Sequence, residues 1–195
     1  MTTKFSARRR AILIAMFLAP GGCGGGSSGG GDDLPPECAS YVSQGAPAFV
    51  MVRVVNQSAS SIWVETGCSE PFDLRIDGES KTPFLSFPAP TCDAIQQGSP
   101  PCCDCFPTKQ EILPGAVYDK KWAQVFHEEV DMPLSCVPED LQAEYDGCHV
   151  SRPIPSQGLE MVAEIRRCTD DTCPLSEQVS AAFSAGQDPI DVLVH

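Results

Sequence analysis

The densest cluster of reactive side chains is Pro101-Cys102-Cys103-Asp104-Cys105. Its thiolates, with His127 or His149, are soft ligands suited to zinc or copper, and Cys102 and Cys105 have Cys-x-x-Cys spacing. No second Cys-x-x-Cys and no His-x-x-x-His completes such a site. Exported thiols oxidise, so disulfides are expected here and no metal or cofactor. His127-Glu128-Glu129-Val130-Asp131 begins like a metalloprotease helix, but that chemistry needs two histidines four apart, and Asp131 stands in the second place. The stretch reads as a solvated acidic loop. Thr169-Asp170-Asp171-Thr172 lacks the glycine and the spaced acids of a calcium loop and reads as a charged turn. Gly-x-Ser-x-Gly occurs only around Ser27 and Ser28, inside a glycine run where no nucleophile elbow can form, and no Ser-x-x-Lys is present. No catalytic residue is assigned.

The 11 cysteines point to an oxidising compartment. Four of the 13 Lys and Arg residues lie in the first 22 positions, so nine face all 26 acids beyond them, a net −17. That surface repels phosphate backbones and anionic headgroups, which excludes nucleic acid and a polybasic membrane patch as partners.

The chain opens with a basic segment, residues 1–10, followed by nine apolar residues, 11–19. As a helix those nine rise about 14 Å, roughly half a bilayer core, so the segment reads as an export signal and not a span. Arg9-Arg10-Ala11-Ile12-Leu13 also looks like a twin-arginine signal, although disulfides formed after export favour the unfolded route. With Gly21, Gly22 and Cys23 the chain resembles bacterial lipoproteins, whose signals end in small residues before a lipidated cysteine. Pro20 stands where that family usually has Leu. The resemblance implies lipid attachment at Cys23, and Gly24 in place of Asp favours the outer membrane of the bacterial envelope; the alternative is a simple secretory signal and a periplasmic or secreted protein. Removing Cys23 leaves Cys38, Cys68, Cys92, Cys102, Cys103, Cys105, Cys136, Cys148, Cys168 and Cys173, an even set. Short enclosed loops favour the pairs Cys136 with Cys148 and Cys168 with Cys173. Cys38, Cys68 and Cys92 are expected to tie the start of the domain to the long loop that follows. The glycine-rich run from Gly24 has almost no side chains to bury and reads as a flexible tether.

Several elements must position whatever the domain carries. The β-branched run 49–56 and the stretch 61–65 read as two strands joined by a turn at Asn56-Gln57-Ser58, which formally matches a glycosylation acceptor. Residues 72–76 alternate ahead of the turn pair Asp77-Gly78. Six prolines make residues 79–110 mostly loop. Residues 117–126 read as one strand with Tyr118, Trp122 and Phe126 on a face that Lys120 and Gln124 interrupt. Residues 159–166 alternate clearly, Ile190, Val192 and Val194 suggest a last strand, and 138–145 and 175–184 could each make two helical turns. Trp63 and Trp122 read as core.

Short strands and many turn residues predict an all-β fold, a disulfide-braced antiparallel β-sandwich. Val55-Asn56-Gln57-Ser58, Phe72-Asp73-Leu74-Arg75-Ile76-Asp77, Leu113-Pro114-Gly115 with Trp122, and Gly158-Leu159-Glu160-Met161-Val162 resemble the strand order of the immunoglobulin-like intracellular proteinase inhibitor family of bacteria. That resemblance implies an immunoglobulin-like sandwich. The expected organisation is a signal peptide over 1–22, the lipid-attachment cysteine and tether over 23–45, and the sandwich over 46–195. The expected function is that of a non-catalytic binding or structural module, with the membrane and a protein as partners. The alternatives are a protease inhibitor presenting the Pro/Cys-rich loop, and a hydrolase with dispersed residues.

Overall fold

The computed structural model describes residues 35–44, 49–86, 88–99, 105–143, 145–168 and 176–195. Expectations for the export signal, Cys23, the glycine tether, Cys102, Cys103, Cys173 and the Thr169–Thr172 turn lie outside the described residues.

The fold is all-β and braced by disulfides. The strands are β1 (Val50–Asn56), β2 (Ile62–Thr66), β3 (Phe72–Ile76), β4 (Glu79–Lys81), β5 (Thr108–Ile112), β6 (Val117–Trp122), β7 (Val125–Val130), β8 (Cys148–Pro153), β9 (Leu159–Ile165), β10 (Glu177–Phe183) and β11 (Ile190–Val194), with one short helix α1 (Cys92–Gln96). One sheet has the order β11-β1-β6 and a second the order β10-β9-β3-β4. The inward residues of both meet in one core: Val52, Val54 and Trp122 from the first sheet, Leu74, Met161 and Ala163 from the second. The alternation read from the sequence produces this directly, since a period of two sends Val50, Val52 and Val54 to one face of β1. By area, each such buried aliphatic chain contributes about 1.5–3 kcal/mol.

Two smaller strand pairs hang on this frame. β2 pairs with β5 and joins the end of β9 through reciprocal backbone hydrogen bonds between Trp63 and Arg166. β7 pairs with β8 and reaches the segment after β4 through a bridge between His127 and Thr82. A second apolar cluster gathers Cys38, Cys92, Ile95, Met132, Cys136, Cys148 and Val150 around α1.

Several expectations are corrected. β1 runs parallel to β11 and antiparallel to β6, so the first sheet is mixed. β1 and β2 do not pair with each other; each finds its partners far along the chain. What joins them is Asn56, fully buried, whose Nδ2 donates to the carbonyls of Ser60 and Ile112 while its Oδ1 accepts from the Ser58 amide and hydroxyl. The expected strand 117–126 breaks at Gln124, which adopts φ 55 and separates β6 from β7, so Phe126 belongs to the second of the two. Residues 127–130, expected as acidic loop, lie in β7, with Glu128 paired to Arg152 across the ladder. Residues 177–183, expected as helical, form β10 on the edge of its sheet, and 138–143 make turns without a helix. Trp122 is core, whereas Trp63 faces the other side of β2 and is half-buried. Residues 36–41, placed in the tether, form a 3-10 turn whose Cys38 is fully buried, so the folded unit begins earlier than residue 46.

The hairpin at Asp77-Gly78 is as the turn pair implies: φ values of 51 and 86 suit a two-residue loop whose twist matches the strands. The cysteine pairing is not as loop length implied. Cys136 bonds Cys38 and Cys148 bonds Cys92, in place of one another. Cys68 bonds Cys105, which does fasten the proline-rich loop to the domain. Cys168 is also disulfide-bonded. Crosslinks spanning 98 and 56 residues each contribute about 4–5 kcal/mol in the chain-entropy account.

Candidate binding cavity

Between β6, the β7–β8 pair and the segment after β4 lies an open cavity of about 520 Å³. Its apolar walls include Phe49, Phe84, Leu85, Trp122 and Val125, and its polar ones Lys120, Lys121, His127 and Ser151. The register dictates this mixture. Trp122 lies opposite Val50 at the end of the β1–β6 ladder, which leaves Phe49 just beyond it, 58 % exposed. The Lys121 ammonium sits 4.2 Å from the centre of the Phe49 ring, a cation–π distance. Lys120, on the opposite side of β6, pairs with Glu70, which also accepts from the Tyr118 hydroxyl. Burial, then the carboxylate of Glu70, pushes the Tyr118 phenol well above its ordinary range, so it remains a donor.

His127 and Ser151 face each other across the β7–β8 ladder, with Nδ1 and Oγ 3.2 Å apart. Burial first, and the neighbouring His149 second, pull His127 down from 6.5 to about 4, so it is neutral at physiological pH. The Nδ1 of His149 is buried with no hydrogen-bond partner among the described residues. The pair resembles a nucleophile and base in type only. A base drawn to about 4 has little proton affinity at neutral pH, and no carboxylate among the described residues bonds the His127 ring.

Glu70 also borders a smaller hollow of about 160 Å³, lined by Glu65, Asp73, Glu164 and Arg166. Arg166 pairs with Glu65, and Asp73 accepts from the Ser80 hydroxyl, so these three are engaged within the fold.

No family model, curated protein or solved structure matches this chain.

Of the residues singled out in the sequence, His127 reaches the cavity, while Cys105 is held in its disulfide with Cys68 and presents no thiolate. His127 and Asp131 cannot share a helix face, because β7 is extended. Among the described residues no three His, Cys, Asp or Glu side chains converge as metal ligands. Near the end of the loop expected to serve an inhibitor, around residues 88–107, Phe106 is 79 % exposed beside Cys105. Its carbonyl approaches Gly67 so closely that a Cβ there would lie 2.4 Å from it, and Gly67 has φ 96, so glycine is required. Sequence reading missed Phe49, Lys121, Ser151 and Glu70. The one available signal was Lys120 and Lys121 standing beside Trp122 in an apolar strand; the others meet only through strand pairing.

Proposed function

We propose that this chain is a membrane-anchored, extracytoplasmic lipoprotein of the bacterial envelope whose β domain is a non-catalytic binding module. The observation that carries the binding assignment is the cavity, whose volume falls within the roughly 300–1,000 Å³ common for small-molecule sites and whose lining mixes aromatic walls with a few polar groups. The address rests on the basic start, the short apolar run, Cys23 and the glycine tether. The disulfides support an oxidising location outside the cytoplasm. The weak base at His127 supports binding over hydrolysis, since Ser151 has no partner of adequate basicity to activate it.

Intact mass of the protein from its native membrane, before and after reduction and alkylation, tests the address. A lipid-bearing chain starting at Cys23, with ten thiols alkylated only after reduction, is the expected result. An unprocessed chain with free thiols would overturn it.

A further inference from the structure

Resting on the reading of the cavity as a binding site, we propose that its ligand is a small amphipathic carboxylate, with Lys121 holding the anionic group and Phe49, Phe84 and Leu85 holding the apolar body.

Nine Lys and Arg residues lie beyond position 22. Seven of them are in ion pairs: Arg53, Arg75, Lys81, Lys120, Arg152, Arg166 and Arg167. Lys109 is engaged within the chain. Lys121 is different, for its ammonium rests on the Phe49 ring and no carboxylate among the described residues pairs with it. In a chain carrying net −17 beyond residue 22, a cation left to an aromatic face is the exception.

The neighbouring acids do not neutralise it. Asp119, two residues earlier on the same side of β6, stands opposite Arg53 in the ladder, and its charge acts on that guanidinium. Glu70 is taken by Lys120 and Tyr118. The described charged groups lining the cavity are therefore one matched pair, a neutral histidine and Lys121, a net of about +1 at neutral pH. A single negative charge matches this better than a cation or a phosphate with two. Ser151 and His127 add a hydroxyl and a neutral imidazole that can donate to, or accept from, a second polar atom on the ligand.

The apolar side is equally defined. Phe49 is more than half exposed, which costs free energy in water, and the partly exposed Phe84 and Leu85 also line the cavity, over the buried Trp122. Covering them yields favourable burial for a ring or short alkyl chain, while the ammonium on Phe49 lies at the edge of that surface to meet the carboxylate. A highly charged or wholly polar solute would leave these rings exposed, and a neutral apolar solute would leave the ammonium unmatched.

The test is calorimetric titration of the full chain with three soluble probes of matched shape: 3-phenylpropionate, 3-phenylpropanol and 3-phenylpropylammonium. The carboxylate is expected to bind at least about tenfold more tightly than the alcohol, as suits a charge-assisted hydrogen bond, and the ammonium most weakly. Lys121→Met, which keeps the alkyl stem on an exposed side chain, should abolish that preference, and Lys121→Arg should retain it. Near-ultraviolet circular dichroism of each variant checks folding. If carboxylate and alcohol bind equally and Lys121→Met changes nothing, the anionic assignment is overturned while the cavity stands as a binding site. If none of the probes binds at millimolar concentration, both are overturned.

Discussion

At His127 the fold works against protonation. The ring lies in the β7–β8 ladder beside Ser151 and near His149, and burial together with that second ring draws its pKa from 6.5 to about 4. An unfolded chain binds a proton at this position below about pH 6.5 that the folded chain refuses until about pH 4. The unfolded state therefore gains as pH falls through that window. The stability contributed by a neutral His127 is complete above pH 6.5, declines between 6.5 and 4, and is gone below, a loss on the order of 2 kcal/mol after allowance for solvent screening. Urea unfolding at pH 7, 5.5 and 4.5 should show a steeper decline for the wild type than for His127→Gln. Identical declines in the two proteins would place the pH sensitivity elsewhere. His127 could be singled out from the sequence as a titratable group, but its low proton affinity could not. That depends on burial and on His149, and both come only with strand pairing.

Elements differ in how plainly they are written. β1, β3, β9 and β11 were legible because each buries one face, and a period of two is visible in Val52-Val54, Phe72-Leu74, Leu159-Met161 and Ile190-Val192. β10 was not legible, since an edge strand with only Phe183 buried carries almost no alternation. β7 was hidden by its acids, which Arg152 and solvent accommodate. Cysteine pairing was illegible for a different reason: loop length favours neighbours, whereas bonding follows which strands are brought together. The helix α1 shows what that pairing does. Five residues are far too few to be helical alone, and α1 is fixed by the Thr91 hydroxyl, which accepts from the Ala94 amide, and by the Cys92–Cys148 bond. Replacing both Cys92 and Cys148 with Ala should lower stability by about 2–5 kcal/mol. Amide exchange at Ile95 and Gln97 should accelerate first, with β1 amides changing only as far as global stability falls. Uniform acceleration throughout would mean that α1 and the β1 core open as one unit.

On the scale of the whole molecule, two sheets enclose one core while the disulfides fasten the periphery to it. Cys38 stands only a few residues into the described chain, yet it is bonded to Cys136, 98 residues away. This gives the domain a mechanical property as well as a thermodynamic one. A pull applied at the N-terminal side passes through the 3-10 turn and crosses to Cys136 by a covalent bond. The chain between them, including β1 to β7, is out of the line of force. Fully extended, those 98 residues would span about 330 Å. Stretching single molecules between residue 35 and His195 should therefore yield a contour shorter by about that length than the same molecules give once reduced. Equal lengths in the two conditions would show that the bond does not carry the load. Held this way, a domain tugged from its amino end would lose the ladders that join β8, β9 and β11 to β7, β3 and β1, while β6 and β7 in the wall of the cavity stay behind a covalent clasp and are never drawn out.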